Sequence, residues 1–435
     1  MASQYGSSMT SYRQPGTVLR DHNFTVPLDH AKPDGEQIQL FAREVVAADK
    51  SAADLPWLVF LQGGPGMGAP RPAGREHWVD RALHDYRVLL LDQRGTGRSS
   101  PANRRTLARL GSPRAQADYL ARFRADAIVA DAELVREQVT GGRPWSVLGQ
   151  SFGGFCTVSY LSFAAEGVSE AFITGGLPGL DTTADDVYRK TYPAVARKNA
   201  QHYARYPADV ERAKEVARHL AAGGTRLPDG GTLTVEAFQS LGRMLGSGTG
   251  SHVLHYLLED PFAGGELSDD FLHQVQDHLT FSAGPLYALV HEACYANGSS
   301  TRWAAQRIRA EFPEFDAAAA LDGDAPLLFT GEMIYPWTLE NDPVLAPLAE
   351  AGEILAERDP WPPLYDESAL RACEVPAAAA VYYDDMYVPR EFSVRTAEAI
   401  RGLRPWITNE YEHDGLRVSQ GKVLDRLIAM VHGNV

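Results

Sequence analysis

Cysteine is nearly absent from this chain. Its 435 residues hold three, Cys156, Cys294 and Cys373, an odd number with no metal-ligand spacing. That argues against a disulfide framework or a zinc site and makes a reducing cytoplasm the expected compartment. Long apolar runs are missing too. No stretch approaches the ~18 uninterrupted apolar residues of a membrane helix, and the polar segment from Met1 to Thr17 has no apolar centre of the kind a secretory signal carries. Positive charge is in short supply: 41 Lys and Arg stand against 56 Asp and Glu, a net charge of −15. Nucleic acid is therefore a poor partner, whereas a cationic substrate is slightly favoured. What remains is ordinary for a soluble globular protein, with 44% apolar and 22% charged residues. The length exceeds one ordinary core, so two domains, or one with a large insertion, are expected.

The chain has the rhythm of an α/β protein. Residues 1–20 read as a mobile arm. His22–His30 and Gln37–Val46 alternate like two strands around the Pro33-Asp34-Gly35 turn. Continuous apolar runs at 56–61, 86–91, 145–148 and 171–174 have the look of buried parallel strands. Helical periodicity separates them, at Glu76–His84, Ala115–Thr140 and Phe155–Ala165. The next convincing strand, Ala377–Tyr383, comes about 200 residues later, although a parallel crossover needs only a dozen or so. Helical segments fill the gap: Val187–Tyr206, Val210–Ala222, Val235–Leu245, Phe271–Leu279 and Trp303–Phe312. The expected plan is a core over 21–180 and 364–435, interrupted after the sixth strand by a helical cap over 181–363.

Chemistry concentrates at Gly149-Gln150-Ser151-Phe152-Gly153-Gly154, between a strand and a helix. Gly-x-Ser-x-Gly in that context is a nucleophile elbow, a turn so tight that only glycines fit beside the serine. Ser151 would stand clear of the sheet, with the amide of Phe152 at the positive start of the helix. A serine hydroxyl needs a base, and the base an orienting carboxylate, in the chain order Ser, Asp, His. The acid belongs at the end of the strand after the insertion, where Asp384 and Asp385 stand side by side and spacing does not choose between them. Only His413 and His432 lie beyond. His432 is three residues from the C-terminus, whereas His413 follows Trp406–Tyr411, which reads as the last strand, so the loop residue His413 is the expected base. Gln62-Gly63-Gly64-Pro65-Gly66, after the third strand, lies where a second oxyanion amide is expected. Dehalogenase or epoxide-hydrolase chemistry would need a carboxylate in place of Ser151.

Three motifs together, Gly-Gly-Pro-Gly at 63–66, Asp-Gln-Arg-Gly-Thr-Gly-Arg-Ser at 92–99 and the elbow at 149–154, resemble the proline iminopeptidases of the α/β-hydrolase fold, and among them the longer branch. The resemblance spans about residues 20–178 and 365–435. It implies an α/β-hydrolase fold, a mostly parallel sheet flanked by helices. It also implies release of N-terminal proline from short peptides by Ser-Asp-His catalysis, without metal or cofactor. The family's acid lies in Asp-Met-x-x-Pro, matched by Asp385-Met386-Tyr387-Val388-Pro389, which selects Asp385. The oxyanion donors become the amides of Gly64 and Phe152. One departure is Gln62, where the family usually has histidine. The resemblance further implies cap carboxylates for the substrate amine, and Glu292 and Glu332 are the candidates, each a lone glutamate among apolar residues. Tyr335, Trp337 and Phe281 would wall a proline pocket, while Arg94 and Arg98 would pin a loop. The alternatives are an esterase or an aminopeptidase of other specificity on the same triad, or a ligand-binding protein with an idle site.

Overall fold

The computed structural model describes residues 10–435. Nine strands form one twisted sheet in the order β1-β2-β3-β5-β4-β6-β7-β10-β11. They are β1 Thr10–Gln14, β2 Thr17–Pro27, β3 Gln37–Ala47, β4 Trp57–Leu61, β5 Arg87–Asp92, β6 Trp145–Gln150, β7 Val168–Thr174, β10 Ala377–Tyr382 and β11 Leu403–Thr408. A hairpin of two-residue strands, β8 Phe262–Ala263 and β9 Glu266–Leu267, lies apart from the sheet. Strands β5, β4, β6, β7, β10 and β11 run parallel; β1, β2 and β3 are antiparallel to their neighbours. The parallel strands other than the edge strand β11 carry the continuous apolar runs, covered on both faces. One face packs on Ile128, Val135, Val158 and Leu161. The other packs on Trp78, Leu83, Leu424 and Leu427.

Two expectations need correction. Residues 10–20 are not a mobile arm; they form β1 and the start of β2, a hairpin turned at Pro15-Gly16, where Gly16 has φ 74°. Thr17, Val18 and Leu19 are buried there, which fixes the hairpin to the sheet. Residues 1–9 lie outside the described residues. The last strand, expected at 406–411, begins three residues earlier at Leu403, set by its parallel register with β10 (Ala377 opposite Leu403). Pro405 lies inside it, and an edge strand tolerates a residue without an N–H.

Between β7 and β10, apart from the β8–β9 hairpin, the regular elements are helices, from Ala184–Arg205 through Ala349–Ala356 to Glu367–Ala372, joined by loops. This stretch has a core of its own, around Tyr192, Phe238, Phe315 and Phe329. Among the described residues no helix is long and apolar enough to cross a membrane.

Candidate active site

Strand β6 ends at Gln150, and the helix Phe152–Phe163 starts two residues later. Ser151 makes the whole turn, at φ 56° and ψ −125°, a region that side-chain-bearing residues seldom occupy. Its neighbours are glycines because nothing larger fits. A Cβ on Gly153 would lie 1.9 Å from the Leu61 carbonyl oxygen, and one on Gly149 would lie 2.3 Å from Thr157 Oγ1. The Ser151 amide donates to the Thr174 carbonyl at 2.9 Å, pinning the turn to the end of β7.

Beyond β7 the next two residues, Gly175 and Gly176, touch both halves of the site. A Cβ on Gly176 would be 2.4 Å from the Ser151 carbonyl oxygen; one on Gly175 would be 3.1 Å from His413 Nδ1. Ser151 and His413 therefore flank a single dipeptide. His413 is buried in the loop after β11, and its Nδ1 lies 2.7 Å from Asp385 Oδ2. The other carboxylate oxygen of Asp385 accepts the amides of Tyr387 at 2.8 Å and Val388 at 3.0 Å. Asp384, in the turn after β10, is exposed. His432 is on the surface, paired with Glu170 at 3.0 Å.

Burial pushes the His413 pKa down, but the charge and hydrogen bond of Asp385 and then the charge of Glu332 outweigh it, so the imidazole titrates above its ordinary range. Glu332 is thus felt at the base. Its Oε1 accepts the Tyr287 hydroxyl at 2.5 Å. Burial and then the Glu332 charge hold the Tyr287 phenol well above its usual pKa, which keeps it a donor. Gly331 and Met333, which flank Glu332, line a cleft together with Phe281, Trp337 and Arg243; Glu332 itself, Ser151, Asp385 and His413 do not line it.

Gln62–Gly66 runs beside the elbow: a Cβ on Gly63 would be 2.8 Å from Ser151 Cβ. The side chain of Gln93 donates to the Gln62 carbonyl at 3.0 Å, which fixes the path of this loop. The rest of the 92–99 motif is scaffolding. Asp92 accepts the amides of Ala69 (2.9 Å) and Arg98 (2.8 Å). Arg94, its side chain fully buried, forks onto Asp131 at 2.7 and 2.6 Å. Arg98 pairs with Asp21 at 2.7 Å over the ring of Phe41. The amide of Phe152 opens its helix, where the first N–H groups have no partner within the helix.

Two expected substrate residues have other employment. Glu292 is 7% exposed, and its oxygens accept the amides of Ala304 (3.1 Å) and Ala305 (2.9 Å) at the start of the helix Ala304–Arg309. It caps a helix, with each oxygen already engaged by a backbone amide. Arg307 pairs instead with Asp185 at 2.9 Å. Tyr335 is fully buried, with its hydroxyl 3.0 Å from that of Tyr192, and stacks behind Trp337 at 4.9 Å. It backs the cleft wall rather than forming it. Tyr287 is a partner that spacing did not reveal, because its contact with Glu332 joins residues 45 apart.

Comparison with known proteins places this geometry. The chain is 49% identical over 425 residues to a proline iminopeptidase of Aeromonas sobria, covering 98% of this chain and 99% of the other. It belongs to the proline iminopeptidase family. A proline iminopeptidase of Aspergillus aculeatus is 36% identical over 431 residues, 97% of this chain and 95% of that one. The alpha/beta hydrolase fold family matches residues 56–247, from β4 across the elbow into the helical stretch. In this family member, then, the strained serine, the buried aspartate–histidine pair and the glycine loop lie together at the C-terminal ends of the parallel strands, where sheets of this type hold their ligands.

Proposed function

We propose that this chain is a serine aminopeptidase that releases N-terminal proline from short peptides through an acyl-enzyme. The reading rests above all on one juxtaposition: the strained Ser151 stands one dipeptide away from a buried imidazole that a carboxylate holds at 2.7 Å. Family membership supports it independently.

Neutral His413 accepts the Ser151 proton at Nε2 as Oγ attacks the prolyl carbonyl. Asp385 keeps the other proton on Nδ1 and stabilises the imidazolium that forms. The amides of Gly64 and Phe152 receive the oxyanion; both are fixed dipoles, so nothing reorganises as charge develops. His413 then gives its proton to the leaving amine, and water repeats the sequence to free proline. Glu332 anchors the substrate's charged ring nitrogen, with Tyr287 holding its second bond. Phe281 and Trp337 supply apolar walls beside it. The stretch 181–363 acts as a cap that keeps this charge pair out of bulk water. A cytoplasmic location fits the three cysteines, all buried as free thiols.

The decisive test is Ser151→Ala. Turnover of a proline anilide and labelling by a fluorophosphonate should both vanish while the melting temperature holds. Retained hydrolysis would overturn the assignment.

A further inference from the structure

The loop that carries the base is held by the inserted helical stretch at three successive residues. Glu412 takes the ammonium of Lys198, from the helix Ala184–Arg205, on both carboxylate oxygens at 2.5 and 2.6 Å. The amide of His413 donates to the Gly246 carbonyl at 3.2 Å. Asp414 accepts the amide of Gly248 on both oxygens at 3.3 Å. The acid is tied to the same turn, since the hydroxyl of Tyr387, two residues after Asp385, donates to the Arg243 carbonyl. Tyr387 also sets its ring edge-on to that of His413, 4.8 Å between centroids. None of this is required for merely covering a pocket.

We infer that Lys198 and Glu412 are positioning residues: their half-buried ion pair fixes the His413 loop, so that the cap sets the geometry of the base as well as enclosing the substrate. The inference rests on His413 being the base. Lys198 is 6% exposed, and a buried ammonium is retained only where a partner meets it. Glu412 faces Lys198, Asp385 and Asp384; His413 faces Asp385, Glu332, Arg417 and the ring of Tyr387. Removing one member of the pair therefore both loosens the loop and leaves one uncompensated charge at the residue next to His413 in the chain. The sign of that charge depends on which member is removed. A misplacement of about 1 Å at a catalytic group costs on the order of 10²-fold in rate.

Lys198→Met and Glu412→Gln test this on a proline anilide. Both should lower kcat roughly 10- to 100-fold with KM within about twofold. The acid limb of kcat/KM should move in opposite directions. It should fall in E412Q, where the Lys198 cation is left near His413, and rise in K198M, where the Glu412 anion is left. Lys198→Arg, which keeps the ion pair, should recover most of the rate. A kcat within about twofold of the parent in both variants would overturn the inference, and so would a loss of rate with an unmoved acid limb. If K198M fails to fold, E412Q decides alone on the same criteria, because glutamine keeps an acceptor for Lys198. Failure of the underlying triad would show separately, as fluorophosphonate labelling that survives Ser151→Ala.

Discussion

Asp385→Asn should reduce kcat by about four orders of magnitude and leave the fold intact. The aspartate is held from two sides: one oxygen accepts the amides of Tyr387 and Val388, and the other meets His413 Nδ1 at 2.7 Å. An asparagine has one acceptor and one donor end. The two backbone amides demand the acceptor, so the side-chain NH₂ is turned onto His413. Nδ1 must then accept, the ring proton moves to Nε2, and the imidazole can no longer take the Ser151 proton. A wrong tautomer of this kind costs ~10⁴ in kcat for a Ser-His-Asp site, about 5.5 kcal/mol of barrier. The same change removes the anion that raises the His413 pKa, so residual activity should show its acid limb at lower pH than the parent. The assay is steady-state hydrolysis of a proline anilide between pH 5 and pH 9, with thermal melting as the control for folding. Asp384→Asn is the paired comparison, expected to stay within about twofold because that side chain is exposed. A D385N enzyme within tenfold of the parent at neutral pH, with unchanged melting, would refute the tautomer argument.

Other outcomes follow from the two glutamates and the base. Glu332→Gln should cut kcat/KM at least ~30-fold for a free-amine proline anilide and under about threefold for an N-acetylproline ester; equal losses would count against amine recognition. In the parent enzyme kcat/KM should decline as pH falls through a value above ~6.5, because only neutral His413 accepts a proton and its pKa is raised; a limb well below 6 would contradict this. Glu292 is pushed up to about 7, by burial first, with the Ala305 amide, Thr301 hydroxyl and Ala304 amide opposing. A carboxyl whose folded pKa is raised stabilises the fold below its unfolded value of ~4.3, and loses that contribution as pH climbs to about 7. The melting temperature of the parent relative to Glu292→Gln should therefore fall between pH 4.5 and pH 7 and level off above; a difference independent of pH would show that Glu292 does not titrate there.

Much of the fold was legible because burial on both faces leaves a plain mark. The runs read at 56–61, 86–91, 145–148 and 377–383 each fall on a parallel strand. The elbow was legible for a steric reason, since Gly149, Gly153 and Gly154 stand where a Cβ would come within 2.4 Å of another heavy atom. Strand β1 was missed although Pro15-Gly16 is a recognised turn pair. Its exposed face carries Ser11 and Arg13, and polar alternation on a short edge strand resembles loop composition. Pro405 hid the start of β11 in the same way, as proline usually ends a strand rather than sitting within one.

The inserted stretch between β7 and β10 was legible only as a quantity of helix, and Glu292 shows why. A lone glutamate among apolar residues announces that a partner exists, but not which one. The partner is a pair of backbone amides, and backbone donors leave no trace in the identity of a side chain. The trace lies instead in what the partner segment lacks. The helix Ala304–Arg309 begins after Trp303, at φ 52°, with no Ser, Thr, Asp or Asn to accept its first N–H groups. An uncapped helix and an unpaired carboxylate in one insertion solve each other, and the solution is structural. The proposed amine site therefore rests on Glu332, which accepts a phenol hydroxyl and whose charge is felt at His413.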